Sequence, residues 1–378
     1  MSHLSYMEKL LDGVEVEWKE LGDVAAYEQP TKYLVKSKNY NDDYSTPVLT
    51  AGKTFVLGYT NETEGIYKAS ESPVIIFDDF TTANKWVDFD FKAKSSAMKM
   101  ITSTDESKFL LKYIYYYLNS LPSQDITVDH KRQWISTFSK MSIAIPPFDV
   151  QAEIVRILDT FTELTAELTA ELTARQQQYA YYREQLLTSF NDDKTEIKTL
   201  KDIVIMKAGQ HISASKISAN KSTSHIYPCF GGNGIRGFVD EKSHDGSYLL
   251  IGRQGALCGN VHRMSGEFYA TEHAVVVTAK DGINIDWAFH KLTLMNLNQY
   301  ASKSAQPGLA VGKLAGLKVS VPSLDEQKRI AAILDKFEAI TASLTEGLPR
   351  EIELRQQQYE YYRDLLLSFP KPEVATHD

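Results

Sequence analysis

Two cysteines in 378 residues, Cys229 and Cys258, are too few for a disulfide framework, and their scarcity fits a reducing cytoplasm. Long apolar runs are missing as well. Stretches such as Val74-Ile75-Ile76-Phe77 are strand-sized, whereas a membrane helix needs about 20 residues. Residues Met1 to Gly13 carry mixed charge without an apolar core and are not expected to act as a signal peptide. A cationic excess is also absent. The 41 Lys+Arg against 49 Asp+Glu leave a net charge of −8, which taken over the whole chain argues against a simple nucleic-acid binder. Neither glycine nor proline occurs between Phe148 and Phe190. The apolar fraction of 43% and charged fraction of 24% exclude wholesale disorder, and the length suits two or three domains.

What is present is a repeat. QAEIVRILDTF from Gln151 returns as QKRIAAILDKF from Gln327, and RQQQYAYYREQLLTSF from Arg175 returns as RQQQYEYYRDLLLSF from Arg355. Ile143-Ala144-Ile145-Pro146 matches Val319-Ser320-Val321-Pro322, and the lead-ins WKELGDVA (from Trp18) and IKTLKDIV (from Ile197) correspond loosely. The chain therefore divides into variable segments at 1–145 and 196–320 and helical segments at 146–195 and 321–378.

The variable segments read as mixed α/β. SPVIIFDDF (72–80) and SYLLIGRQG (247–255) are short, apolar and bounded by turn residues, which predicts strands. Helical spacing predicts one helix in each, at Lys108–Leu121 and Ile285–Gln299. In the helical segments, Ile154, Leu158, Phe161, Leu164, Leu168 and Leu172 form one apolar stripe that continues to Leu186. A helix of that length runs to ~60 Å. The second copy contains Gly347 and Pro349, where a break or kink is expected. Two matching amphipathic helices predict an antiparallel coiled-coil pair, and the duplication predicts pseudo-two-fold symmetry with an α+β fold class.

Motifs for chemistry fail on inspection. Ala51-Gly52-Lys53-Thr54 ends like a phosphate loop, but Pro47 stands where the leading glycine is needed and a strand pattern follows. Ile145-Pro146-Pro147-Phe148 resembles the loop of amino-methyltransferases, yet Ile145 cannot accept from an exocyclic amine. The nine histidines show no zinc spacing, so no metal site is expected. Six of them (His211, His225, His244, His262, His273 and His290) fall in the second variable segment and read as exposed residues. Asp78-Asp79 reads as a turn. The chain reads as a non-enzyme.

Charge by region changes the first impression. Residues 196–320 hold 14 Lys+Arg against 9 Asp+Glu, while every other segment is net negative. That is the electrostatic footprint of a nucleic-acid binder in the second variable segment. The first offers clusters such as His130-Lys131-Arg132-Gln133-Trp134. Candidate DNA contacts are Lys131, Arg132 and Gln133 in the first segment and Arg236, Arg253 and Gln306 in the second, because they are cationic or amide groups beside Gly- or Pro-marked loops. Lys53 and Asn233 occupy similar loops in the two halves and join them.

The tandem Thr165-Ala166-Glu167-Leu168, Thr169-Ala170-Glu171-Leu172 between two variable domains, with the RQQQYxYYR repeats, resembles the specificity subunits of type I restriction–modification systems, in particular the IC-type family. YEQPTKYLVK (27–36), VLTAGKTFVLGYTNET (48–63) and IIFDDFTTANKWVDFDFKAKSSAMKM (75–100) add to the resemblance, which covers nearly the whole chain. It implies a cytoplasmic bacterial protein that reads an asymmetric bipartite DNA site and catalyses nothing itself. It also implies partners: two methylation subunits carrying S-adenosylmethionine, and restriction subunits using ATP and Mg. No cofactor is expected on this chain. On this reading Leu164, Leu168 and Leu172 pack on the C-terminal helix, and the methylation subunits dock near the RQQQY segments at Tyr179, Tyr182, Tyr359 and Tyr362. The second copy departs from the pattern: Thr341-Ala342-Ser343-Leu344-Thr345-Glu346 is a degenerate echo of the tandem, lengthened by four residues. The rival reading is a coiled-coil scaffold without sequence-specific DNA binding, which leaves the strand-rich domains unexplained.

Overall fold

A short antiparallel ladder ties together the two ends of each variable segment. In the first half, β1 (Glu17–Glu20) pairs with β9 (Ser142–Ile145), placing Glu17 opposite Ile145. In the second, β10 (Glu196–Thr199) pairs with β17 (Lys318–Val321), placing Glu196 opposite Val321. The computed structural model describes residues 9–52, 54–121, 132–188, 195–303, 307–343 and 346–370. They fall into two compact units, Met1–Glu167 with Ile352–Asp378, and Leu168–Glu351.

The first unit contains β2 (Ala25–Glu28), β3 (Thr46–Leu49), β4 (Val56–Thr60), β5 (Val74–Asp78), β6 (Asn84–Val87), β7 (Lys92–Ala93) and β8 (Met98–Ser103). These form one sheet of order β2-β8-β5-β6 and a second of order β4-β3-β7. The apolar run in β5 follows from burial on both faces. Ile75 and Phe77 point into a core shared with the helix Leu111–Ser120, whereas Val74 and Ile76 point into a second core with Met98 and Met100.

The second unit repeats this plan. It contains β11 (Val204–Ala208), β12 (Tyr227–Gly231), β13 (Gly234–Val239), β14 (His244–Gly252), β15 (Val261–Ala270) and β16 (Ala274–Ala279). The order β11-β16-β14-β15 matches β2-β8-β5-β6, and the hairpin β12–β13 matches β3–β4. In both units the hairpin's first strand runs parallel to a neighbour, Leu49 beside Ala93 and Phe230 beside Ala270. Leu249 and Ile251 of β14 face the core under the helix Ile285–Leu294, and Leu250 faces the opposite core. The duplication visible in the helical segments thus extends through variable segments whose sequences scarcely match.

One uninterrupted helix covers Phe148–Thr188, as the missing glycine and proline predict. Its residues to Glu167 belong to the first unit and those from Leu168 to the second. The second copy is two helices, Leu324–Thr341 and Gly347–Leu366. The echo of the tandem therefore leaves the helix at Thr341 instead of extending it. Gly347 sits at φ +78°, where a Cβ would lie 2.4 Å from the Ala339 carbonyl oxygen, so the corner requires glycine. Pro349 falls in the first turn of the new helix, where its missing N–H costs nothing.

Each unit is completed by the RQQQY helix of the other copy. In the first, Phe161 stacks on Tyr362 with ring centroids 5.3 Å apart, Tyr359 meets Tyr116 at 6.4 Å, and Leu366 is buried in the core. In the second, Phe337 stacks on Tyr182 at 5.8 Å and Tyr179 at 6.0 Å, and Leu187 is buried.

Candidate nucleic-acid interface

Three candidate contacts, Lys53, Lys131 and Gln306, lie outside the described residues. In the first unit Arg132 is exposed at the start of a single helical turn, Gln133–Ser136. That turn is held from below. The Gln133 N–H donates to the Asp79 carbonyl at 2.8 Å and the Trp134 N–H to Asp79 Oδ1 at 2.9 Å. The Trp134 ring is buried edge-on against Phe77, 5.3 Å between centroids. Asp78 makes the turn expected of an Asp-Asp pair, its Oδ1 accepting from the Phe80 and Thr81 amides. Asp79 does not: it is fully buried, with Lys99 Nζ 3.4 Å from its Oδ2.

In the second unit two candidates converge. Asn233 is exposed in the β12–β13 turn and its Oδ1 accepts from Asn260 Nδ2 at 3.0 Å. Arg253 is half-buried just after β14, with Nη1 of its guanidinium reaching the Glu272 carbonyl at 3.5 Å. The loops can come this close because Gly252 has no side chain; a Cβ there would lie 1.9 Å from the Gly232 carbonyl oxygen. Arg236 is exposed farther along β13. Beside them, burial pushes the Glu272 carboxyl up, but the hydrogen bond from His211 (2.9 Å) outweighs it together with the backbone and holds the group below the usual range.

Arg253 and Asp79 have the same backbone partners in their own units. The Arg253 N–H donates to the His273 carbonyl and its carbonyl accepts from the Leu309 N–H, both at 2.8 Å. The Asp79 N–H donates to the Ala97 carbonyl at 3.1 Å and its carbonyl accepts from Gln133. One scaffold position thus carries an arginine in one domain and a buried aspartate in the other.

His290 corrects the expectation of an exposed histidine. It is fully buried, with Nε2 2.8 Å from Asp335 Oδ1 and Nδ1 3.4 Å from the Tyr179 hydroxyl. Asp335 and Glu338 complete a His/Asp/Glu cluster of the kind that holds a cation. Arg263 occupies its middle instead, bonded to Asp335, to Glu338 at 2.9 Å and to Asp286 at 3.4 Å, with its guanidinium 4.0 Å from the Phe289 ring centroid. The guanidinium takes the place between these carboxylates that a cation would fill, so the cluster is an ion-pair network. The corresponding corner of the first unit uses Lys112, Tyr116 and Asp159, with Lys112 Nζ 3.0 Å from Asp159 and 5.2 Å from the Trp86 ring centroid.

Leu164, Leu168 and Leu172 are half-buried along the Phe148–Thr188 helix. Tyr179, Tyr182, Tyr359 and Tyr362 all make the aromatic contacts described above, Tyr182 while remaining 40% exposed. More exposed than any of these four are Tyr181, 61% exposed, and Tyr361, 56% exposed, neither of which the apolar stripe singles out. They are the same position in the two YxYYR repeats, a signal that duplication alone could have supplied. The buried Asp79–Lys99 pair carried no sequence signal, because its partners come from different strands.

The sequence profile of the type I restriction modification DNA specificity domain matches residues 13–175 and again 192–354. The chain is 51% identical to the EcoR124I/EcoR124II type I restriction enzyme specificity subunit of Escherichia coli, over the full length of both. It is 48% identical to the EcoprrI specificity subunit of the same species, over 92% of this chain and 93% of that one. The fold is similar to a type I restriction–modification S subunit from M. genitalium (TM-score 0.69, 13% identity, covering 95% of this chain and 98% of the other). With two profile matches spanning most of its length and a relative matched end to end, the chain belongs to the family of type I restriction–modification specificity subunits.

Proposed function

We propose that this specificity subunit reads an asymmetric bipartite DNA sequence, one half-site per recognition domain, and performs no chemistry itself. The observation that carries this reading is the repetition of one β-scaffold with different side chains at the same positions: exposed Arg132 and half-buried Gln133 in the first domain where the second has Gly308 and Leu309, and a half-buried Arg253 where the first has the inward-turned Asp79. A shared scaffold with exchanged side chains is what two different half-sites demand, since base edges are distinguished by the groups presented to them. The helical segments act as a pseudo-two-fold, antiparallel coiled-coil spacer between the domains. Two methylation subunits dock on it, one at each exposed Tyr181/Tyr361 position, and bring S-adenosylmethionine; the target adenine is flipped into their pockets. Restriction subunits using ATP and Mg join this core in the bacterial cytoplasm. Among the described residues no helix is long and apolar enough to cross a membrane.

A gel shift tests the reading, with the chain alone and with its methylation subunits, followed by mapping of methylated adenines in cells carrying the complex. Two defined half-sites at constant spacing are expected. Binding that ignores sequence in the assembled complex would favour the scaffold reading.

A further inference from the structure

The Asp79–Lys99 pair is an expense that the fold does not require. Both residues are fully buried, their charged atoms are 3.4 Å apart, and among the described residues neither Asp79 Oδ2 nor Lys99 Nζ has a hydrogen-bond partner. Taking two charges out of water costs more than such a contact returns. The second unit shows the alternative. Lys99 sits opposite Phe77 in the β5–β8 ladder, and the equivalent pair in the β14–β16 ladder is Ile251 opposite Val275, both buried and apolar. The same strand position therefore works without charge.

What the pair adds is a fixed carboxylate. Asp79 Oδ1 accepts from the Trp134 N–H and the Asp79 carbonyl from the Gln133 N–H, so one residue satisfies two leading amides of the Gln133–Ser136 turn. Leading amides of a helical turn have no internal partners, and an acidic acceptor is favoured there. Lys99 holds the acceptor in place from beneath, its ammonium also 4.9 Å from the Tyr27 ring centroid. Arg132 leaves the surface at the start of this turn, and Gln133 is its first residue.

We infer that Asp79 and Lys99 are positioning residues for the first domain's DNA reading, holding the Arg132–Gln133 segment in its binding geometry before DNA arrives. The inference rests on the proposed reading of one half-site per domain. Preorganisation of this kind sharpens discrimination by removing the cost of ordering the contact segment on binding. The pair itself touches no base.

The test is the neutral double variant Asp79→Asn/Lys99→Met, in the complete complex with its methylation subunits. Its volume is conserved and no lone charge stays buried, so its melting temperature is expected within about 5 °C of the parent. Methylation mapping should show the first domain's half-site relaxed by about tenfold in discrimination against single-base changes. The second domain's half-site and the spacing should be unchanged. Retained stability with both half-sites as sharp as in the parent would overturn the inference. A measurement on the parent complex stands beside this one: amide exchange at Gln133 and Trp134 should be slow both without and with DNA. Exchange that is fast until DNA is added would overturn it too. If the parent complex itself shows no bipartite site, the functional reading fails; if the parent shows one and the variant reads it equally sharply, the inference fails alone.

Discussion

Gln151 and Gln327 hold the same place in the two units and make the same set of hydrogen bonds. Gln151 Nε2 donates to the Pro146 and Lys108 carbonyls, each at 2.9 Å, and its Oε1 accepts from the Leu110 N–H at 3.0 Å. Gln327 Nε2 donates to the Pro322 carbonyl at 2.9 Å and the Gly282 carbonyl at 3.2 Å, and its Oε1 accepts from the Asn284 N–H at 2.9 Å. Each side chain is 1% exposed and joins the first turn of the helix that carries it to the start of the helix Leu111–Ser120 or Ile285–Leu294 in its own unit. Removing it strands buried backbone groups at roughly 1–3 kcal/mol each. Gln151→Leu and Gln327→Leu should each lower the melting temperature by several degrees, to similar extents, in differential scanning calorimetry. A loss confined to one of them would show that the joints are not equivalent.

The two exposed tyrosines should separate docking from folding. Tyr181→Asp with Tyr361→Asp is expected to leave the melting temperature unchanged while the protein no longer co-purifies with its methylation subunits. Tyr182→Asp with Tyr362→Asp should instead destabilise the protein by about 1–3 kcal/mol, because those rings stack on Phe337 and Phe161. Co-purification that survives the first pair would move the docking surface elsewhere.

Arg253→Ala removes the guanidinium beside the Asn233 turn. If it reads a base, specific affinity in the assembled complex should fall by about 1–3 kcal/mol and selectivity should relax at one position of one half-site. Titration against matched and singly substituted DNA gives both quantities. A uniform loss across sequences with a shallower salt dependence would make Arg253 a phosphate contact instead.

The Thr165–Leu172 tandem lies inside the continuous helix, and the division between the units falls after Glu167. Each four-residue unit adds ~6 Å of length and ~40° of rotation beyond a full turn. Base pairs stack at ~3.4 Å with ~35° of twist. Deleting Thr169–Leu172 should therefore shorten the unread DNA spacer by about one base pair, with the remaining translation absorbed by tilt, and leave both half-sites as they were. Methylated-adenine mapping of the deletion variant reads this directly. An unaltered spacer would show that the helices are not the ruler.

Acid should weaken the second unit. Burial lowers the proton affinity of His244, His262 and His290 below that of an exposed imidazole. The unfolded chain then binds protons that the folded chain does not, so the stability present above the ordinary histidine range is lost as pH falls through it. Melting temperatures measured from pH 7.5 down to pH 5.5 should decline, and His290→Asn should flatten the decline. An unchanged slope would assign the acid sensitivity to other groups.

Much of this architecture is legible in the chain because it depends on spacing alone. The repeat, the long helix without glycine or proline and the break at Gly347 follow from local rules of helix continuity. The apolar runs at 74–77 and 249–251 announce central strands, since burial on both faces leaves no polar residue in the alternation.

Which side chains meet was decided only by the tertiary structure. The stripe of Tyr179, Tyr182, Tyr359 and Tyr362 reads equally as docking surface or as packing, and the stacking partners Phe161 and Phe337 lie well over 100 residues away in sequence from the rings they receive. Asp79 looked like half of a turn because its partners, Lys99 and the Gln133–Trp134 amides, arrive from a neighbouring strand and a later loop. His290 looked exposed because nothing local reports that Arg263 and Asp335 close over it. Local sequence determined periodicity, helix ends and the duplicated plan; burial and charge pairing depend on residues distant along the chain, and only folding brings those together.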